Sequence, residues 1–143
     1  MLLNVSYNNE QVVRKIDAAV GKPFSLKERV KRGGIGIGHL IITEASVAIN
    51  NLLILDNNRN VCNIEMRPSG IIIGFRSLLE SYAWVIPYHK LTMYKGEAET
   101  YSIYKETQFI KLTARPTDKK IHNFIKKITA AKATYLSSKD IPS

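Results

Sequence analysis

The chain has 143 residues, of which 45% are hydrophobic and 23% are charged, and its formal net charge at pH 7 is +9. This length suits a single domain with a substantial buried core, and the composition excludes a disordered chain. The single cysteine, Cys62, excludes an internal disulfide framework and a multi-cysteine zinc site, and it favours a reducing, cytoplasmic location. We expect no signal peptide and no membrane-spanning helix, because the first residues lack a basic region and the apolar runs are short.

The positive charge is concentrated in two segments of the chain. Residues 22–32 have a net charge of +4 and residues 111–143 a net charge of +6, while the rest of the chain sums to −1. Such segments can contact the phosphates of a nucleic acid or of an anionic lipid surface, although lysines on the outer face of a helix also keep it soluble. The candidate anion- or partner-binding residues are Lys27, Arg29, Lys31, Arg32, Lys119, Lys126 and Lys127.

Two helical elements are predicted before the first long strand. Residues 9–20 carry apolar side chains at the i, i+3, i+4, i+7 spacing of an amphipathic helix, with Asn8 as its cap and Gly21 at its end. A short helical turn follows, with Ser25 as its cap. Together with the first basic segment, these elements make up residues 1–33, the N-terminal part of the single domain.

Between residues 34 and 114 the apolar residues follow the period of β-strands. The segments GHLIIT and SVAINNLLIL are separated only by residues 44–45, which predicts a hairpin. The further predicted strands are VCNIEMR, GIIIGF, SYAWVIPYH, LTMYK, TYSIYK and QFIKLTA.

Within this region, the alternation in VCNIEMR places Cys62 and Met66 on the face toward the core and Arg67 on the opposite face. A turn cluster is predicted at residues 56–60, and the sequence RPSG suits a type I turn. Residues 76–81 suit either a turn of helix or a bulged loop, and the pattern does not decide between them.

Three glycines spaced two residues apart, Gly34, Gly36 and Gly38, follow the first basic segment. They match neither the dinucleotide-binding fingerprint, which follows a strand and opens a helix, nor a P-loop. At a period of two they leave one face of a strand without side chains, which favours close approach of another backbone or of a helix, or sharp bending of the sheet. The alternative is a flexible anion-binding loop.

Residues 117–136 predict a long amphipathic helix that Thr117 caps. The candidate lysines of this segment lie opposite the apolar face, whereas Lys132 lies within it and must extend its charged end to solvent. The apolar face consists of Ile121, Phe124, Ile125, Ile128, Ala131, Tyr135 and Leu136.

The residue types that carry catalysis or bind metals are scattered along the chain. His39, His89 and His122 lie on different predicted elements and show no metal-ligand spacing. Cys62 faces the core, where an inert packed thiol is expected, and no serine lies in a nucleophile elbow. We therefore expect no catalytic residue, no metal, no cofactor and no enzymatic activity.

The order of about seven antiparallel strands followed by one amphipathic helix resembles the pleckstrin-homology-like barrel, including its bacterial and GRAM-type forms. The resemblance covers residues 34–136 and is clearest in WVIPYHKLTMYKG and FIKLTA. It implies a mainly β fold with flanking helices. In this fold a two-sheet antiparallel barrel, here over residues 34–114, is closed by a helix, here residues 117–136. Residues 1–33, which contain the predicted N-terminal helix, lie outside the resemblance.

Lipid-binding members of this family carry basic residues in the loop that joins the first two strands. Here the predicted connection, residues 43–46, is short and contains no basic residue. The resemblance therefore implies a non-catalytic binding or scaffolding domain whose partner is a protein.

Two alternatives remain open at this point. The first is a nucleic-acid-binding protein that uses the basic segments 22–32 and 111–132. The second is an enzyme whose site assembles from distant residues. The tyrosines that could stack on bases in the first alternative are Tyr82, Tyr88, Tyr94, Tyr101 and Tyr104.

Overall fold

A computed structural model of the chain describes residues 1–54, 60–96 and 99–139. Within these residues the fold is mainly β, with four α-helices and one short 3₁₀ helix, Tyr88–Lys90. The strands are β1 Leu2–Asn4, β2 Gly36–Ala45, β3 Val61–Arg67, β4 Gly70–Ser77, β5 Glu80–Pro87, β6 Leu91–Lys95, β7 Thr100–Lys105 and β8 Gln108–Thr113. The helices are α1 Glu10–Val20, α2 Leu26–Lys31, α3 Val47–Leu53 and α4 Lys119–Lys139.

The eight strands described form one antiparallel sheet in the order β1-β5-β4-β3-β2-β8-β7-β6. Strand β2 connects the two halves of this sheet, because residues 36–41 pair with β3 and residues 42–45 pair with β8. The register against β3 shifts between Ile37 and Leu40, and His39 between them has a positive φ of 57°. The hydrogen-bonded order has two edges, β1 and β6, so the ladder itself is open.

The main core is formed by side chains from both halves of the sheet and from α4. It contains Ile64 of β3, Trp84 of β5 and Ile103 of β7, each at most 1% exposed, together with Phe124 and Ile128 of α4. The alternating apolar pattern of these strands and the apolar face of α4 are therefore confirmed. Among the described residues, no helix combines the length and the apolar content needed to cross a bilayer.

A second, smaller core lies on the other face of the sheet, beneath α1. Ile16 and Val20 of this helix pack with Ile72 of β4 and Val85 of β5. Because α1 covers this face, successive residues of β4 are buried although they point to opposite sides of the sheet. The N-terminal helix is thus an integral part of the fold.

The predicted hairpin at residues 44–45 is wrong, since most of SVAINNLLIL forms α3 instead of a strand. Two buried residues four positions apart, Ile49 and Leu53, anchor this helix on the core. The Ser46 hydroxyl before it donates to Gln108 Oε1 at 2.6 Å and accepts from the Phe109 N–H at 3.1 Å, which turns the chain out of β2. The predicted turn at residues 56–60 lies outside the described residues except for Asn60.

Several element boundaries differ from the prediction by one or two residues. Asn9, and not Asn8, caps α1, and its side chain accepts the N–H groups of residues 11 and 12. The predicted Ser25 cap of α2 is confirmed, with a 3.3 Å bond from the Glu28 N–H. Helix α4 begins at Lys119 instead of Thr117. Residues 76–81 form neither a helical turn nor a bulge, but a tight hairpin whose two central residues are Leu78 and Leu79.

The prediction that the glycine run lets another backbone approach closely is wrong. A β-carbon on Gly36 would lie 3.5 Å from the Ile64 carbonyl oxygen, an ordinary contact, and one on Gly38 would meet open space. Gly34 lies before the strand, with a φ of +96° that favours glycine. The close approach occurs at Gly70, where a β-carbon would collide with the Ile86 carbonyl and with Val20 of α1.

Candidate functional site

A cleft of about 480 Å³ lies between α2, the turn after β3, the 3₁₀ helix and the C-terminal half of α4. This volume is within the range of pockets that hold small ligands or single anchoring side chains. Much of its lining is apolar or aromatic, and it includes Met66, Tyr88, Ala131 and Tyr135. The rings of Tyr88 and Tyr135 lie 5.8 Å apart at 51°, so an aromatic pair connects the 3₁₀ helix to α4 at the cleft.

Arg32 contributes positive charge to this cleft from the end of α2. Its guanidinium lies 4.4 Å from the centre of the Phe24 ring, and its Nε donates to Glu28 Oε1 at 3.1 Å. These two contacts hold the guanidinium in place at the cleft wall. Burial raises the pKa of Tyr88 to about 12, while the nearby charge of Arg32 acts in the opposite direction. Tyr88 is therefore a neutral hydroxyl at neutral pH, and it donates to the Arg67 carbonyl at 3.4 Å.

Lys127 of α4 joins the two basic segments at the same cleft. Its Nζ donates to the carbonyl oxygens of Arg32 at 2.9 Å, Gly34 at 3.0 Å and Gly33 at 3.4 Å. These carbonyls follow the last turn of α2, where a positive charge is also favoured by the helix dipole. An ammonium group has three donors, so these bonds use its full capacity. Lys127 therefore fixes α2 against α4.

Arg67, which the sequence analysis placed on the outward face of β3, lines the cleft and is only 9% exposed. Its guanidinium donates to Glu65 at 2.5 Å, to Asp17 at 3.1 Å and to the Gly21 carbonyl at 2.8 Å. These bonds connect the end of α1 to the sheet. The outward face of β3 was correctly predicted, since Asn63 is exposed and Glu65 is half-buried, and only Arg67 at the end of the strand is covered, where it meets the end of α1.

The structure separates the other predicted site residues from the cleft lining. Lys27, Arg29 and Lys31 are exposed on α2, and Arg29 Nε donates to the Phe24 carbonyl at 3.0 Å. Lys126 is exposed on α4. Lys119 lies on the first turn of α4, beside a different, shallower groove of about 430 Å³ that also includes residues 37–38. Of the seven candidates, only Arg32 and Lys127 therefore line the cleft.

A hydrogen-bonded pair of titratable groups, Tyr101 and His122, ties the start of α4 to β7. His122 Nε2 lies 2.7 Å from the Arg115 carbonyl oxygen, which can only accept, so Nε2 carries the proton. His122 Nδ1 then accepts from the Tyr101 hydroxyl at 2.5 Å. Desolvation raises the pKa of Tyr101, which keeps its hydroxyl a donor. Both partners are thus engaged in holding α4 on the sheet.

The remaining reactive groups to consider are the Cys62 thiol and the described side chains that could bind a metal. Burial raises the pKa of the Cys62 thiol to about 12, which makes it a poor nucleophile at neutral pH. Within residues 1–54, 60–96 and 99–139, no three His, Cys, Asp or Glu side chains lie together as metal ligands. The cleft between α2 and α4 can bind an apolar group beside a cation. Comparison of the chain with known proteins found no matching family model, no significantly similar curated protein and no significantly similar solved structure.

Proposed function

We propose that the chain is a non-catalytic binding domain of pleckstrin-homology-like type and that its partner is a cytoplasmic protein. One observation carries this proposal: the α2–α4 cleft combines an apolar and aromatic lining with cationic groups. Its lining contains Arg32, Arg67 and Lys127 but, among the residues described, no Asp or Glu. An acidic peptide segment with one apolar or aromatic anchor fits this combination.

The two-sheet barrel is part of the same proposal. Side chains of β3 and β5 share one core with those of β7 and β8, which supports two halves of the sheet facing each other. Phe124 and Ile128 of α4 belong to that core, as expected for a helix that closes one end. At the β1 edge, the amine of Met1 lies close enough to Lys105 of β7 to interact with it. This proximity places the β1 edge near β7, the neighbour of the other edge strand, and supports the barrel proposal.

The connection between the first two strands of the barrel, where lipid-binding members of the family carry basic residues, is longer than predicted. The connection between β2 and β3 is not residues 43–46 but residues 46–60, and it contains α3. The sequence of residues 46–60 contains one basic residue, Arg59, and one acidic residue, Asp56, while the described residues 46–54 and 60 contain neither Lys nor Arg. The proposal of a protein partner rests on the cleft, which lies elsewhere.

The energetics of the cleft favour a peptide with an anchor over a purely ionic contact. Burying one Leu, Val or Phe side chain contributes about 1.5–3 kcal/mol. A carboxylate beside Arg32 adds a charge-assisted hydrogen bond, and arginines and aromatic residues are frequent hot spots of protein interfaces. Because Glu28 and Phe24 already orient Arg32, little conformational entropy is lost when a partner binds.

The test uses an array of synthetic peptides rich in Asp and Glu, each with one Phe, Leu or Trp at its centre. The control peptides have glycine at that position. The affinity of each bound peptide is then measured by fluorescence anisotropy for the native chain and for two variants. Arg32→Gln removes the charge at the cleft wall, and Ala131→Trp fills the cleft. We expect each variant to lower the affinity at least tenfold, while Arg76→Gln, at an exposed arginine of β4, leaves it unchanged. No anchor-dependent peptide binding, or an equal effect of Arg76→Gln, would contradict the proposal.

Nucleic-acid binding is a second candidate, because Lys127 brings the segment 22–32 next to α4. The aromatic side chains argue against single-strand stacking. Tyr88 and Tyr101 are 1% and 7% exposed, and Tyr94, which is exposed, packs edge-on against Tyr104.

Anisotropy with single- and double-stranded oligonucleotides across a salt series separates the two candidates, since each phosphate contact releases counterions and steepens the salt dependence. Charge reversal of Lys27, Arg29, Lys31 and Arg32 should flatten that dependence if the second candidate is correct. We expect only weak binding that is lost near physiological salt. Submicromolar affinity at about 150 mM salt would favour the nucleic-acid candidate over a protein partner.

A further inference from the structure

Helix α2 has an apolar stripe on the face that points away from the cleft. Leu26 and Val30, one helical turn apart, are 77% and 74% exposed. Phe24, Glu28 and Arg32 lie on the opposite side, where they make the contacts at the cleft. No residue of α2 is buried. The exposed aliphatic side chains therefore contribute nothing to the core.

Cations flank this stripe on both sides. At about 100° per residue, Lys27 lies on one side of Leu26 and Val30 and Arg29 lies on the other, while Lys31 lies about 100° beyond Val30 on the Lys27 side. All three cations are exposed. A helix with an apolar stripe between basic residues is the arrangement of segments that lie in the plane of a membrane interface. This arrangement is complementary to a partner surface that offers both apolar groups and negative charge.

The backbone of α2, which carries this apolar stripe, is held in place by hydrogen bonds. The Ser25 hydroxyl accepts the Glu28 N–H at the start of α2, and Lys127 binds the carbonyls after its end. Arg29 adds a bond to the Phe24 carbonyl. An isolated helix of this length is not stable in water, so these contacts supply the preorganisation that an interfacial helix otherwise gains only on binding.

We propose that the outer face of α2 docks on an anionic membrane surface. Leu26 and Val30 enter the boundary between headgroups and acyl chains, and Lys27, Arg29 and Lys31 contact lipid phosphates. A nucleic acid would use the cations but would gain little from two aliphatic side chains. Because the cleft lies on the opposite side of α2, the domain can hold a membrane and a protein partner at the same time.

The test is co-sedimentation of the full chain with vesicles of phosphatidylcholine alone or with about 30% phosphatidylserine, an anionic lipid of cytoplasmic leaflets. We expect association only with the anionic vesicles. Leu26→Ser with Val30→Ser should lower the partition coefficient roughly tenfold or more, because two apolar side chains no longer enter the interface. Lys27→Glu with Lys31→Glu should lower it roughly 100-fold or more, since each cation near an anionic surface contributes about fivefold.

Matched controls separate this face from unspecific adsorption. Val47→Ser with Leu79→Ser removes two other exposed apolar side chains, which are 75% and 89% exposed. Lys15→Glu with Lys95→Glu removes two exposed lysines outside both basic segments. Losses in these controls as large as those in the α2 variants would overturn the proposal. So would the absence of binding to anionic vesicles.

Insertion itself is measured on Leu26→Cys labelled with an environment-sensitive dye. Labelling is selective because the native Cys62 is buried. A blue shift of the dye emission on anionic vesicles supports entry of this position into the interface. An unchanged emission from vesicle-bound protein overturns it. Arg32→Gln, which weakens the proposed peptide contact, should leave about four-fifths or more of the vesicle binding, because its guanidinium lies on the cleft side of α2 and not on the face that meets the lipid phosphates.

Discussion

The two N-terminal helices, α1 and α2, are both short and both begin with a side-chain cap, but they are held on the fold by different forces. Helix α1 buries Ile16 and Val20 beneath an apolar cluster, whereas α2 buries no residue and is fixed by hydrogen bonds. Apolar burial is the larger contribution to folding free energy, so α1 belongs to the structural core. The exposure of Leu26 and Val30 is not explained by folding, and this is the basis for proposing α2 as a binding surface.

The largest expected effect on stability lies outside these two helices, in α4. Phe124 is 7% exposed within the main core, so Phe124→Ala should lower the free energy of unfolding by about 3–5 kcal/mol in urea melts. Leu26→Ala in α2 is the matched surface substitution and should change it by about 0.5 kcal/mol or less. A loss below about 1 kcal/mol for Phe124→Ala would mean that α4 is not docked as described.

The comparison between α1 and α2 is tested directly by truncating one aliphatic residue in each. Ile16→Ala removes a buried side chain and should cost about 2–3 kcal/mol, slightly below the middle of the usual range because this residue lies at the edge of its cluster. Val30→Ala should cost about 0.5 kcal/mol or less. Equal losses from the two substitutions, measured in the same denaturant series, would remove the distinction between the helices.

A smaller effect on stability is expected at Gly70, where α1 closely contacts the start of β4. Gly70→Ala places a methyl group against Val20 and the Ile86 carbonyl and should cost about 1–3 kcal/mol. Gly38→Ala is the matched control, because its methyl group meets open space and should be tolerated. If thermal melts show Gly38→Ala to be the more damaging change, the packing described for these two glycines is incorrect.

The smallest expected effect on global stability concerns the attachment of α2. Lys127→Met removes three hydrogen bonds to the carbonyls after α2, but water can replace them, so the loss should be about 1 kcal/mol or less. Hydrogen exchange of the α2 amides should nevertheless accelerate, while the α1 amides keep their protection. Unchanged exchange in α2 would show that Lys127 does not hold this helix.

The strands from β3 to β8 and the helix α4 were predictable because burial of one face imposes a clear period on each of them. Helix α3 was missed for the converse reason. Its sequence, VAINNLL, is rich in β-branched and aliphatic residues, and only the positions of Ile49 and Leu53 on the core distinguish it from a strand. Local composition therefore favoured a strand where tertiary packing selected a helix.

The candidate site was predictable only in its charge. The two basic segments were visible, but their meeting depends on bonds from Lys127 to backbone carbonyls, which every residue possesses and no sequence pattern marks. The cleft itself depends on side chains from β3, the 3₁₀ helix and α4, which are distant in the chain. The burial of Arg67 likewise follows from the position of α1, and this was not deducible from the alternation within β3.

The contact of Lys127 with residues 32–34 also bears on the order of folding. Lys127 is separated from these partners by 93 to 95 positions in the sequence, so the contact closes a very long loop. Contacts of such high sequence separation cannot form before the intervening strands have assembled and the C-terminal helix has docked. During synthesis the α2 segment leaves the ribosome early, but it acquires its fixed end only when nearly the whole chain has followed. The surface of α2 is thus completed last, although it is encoded among the first residues.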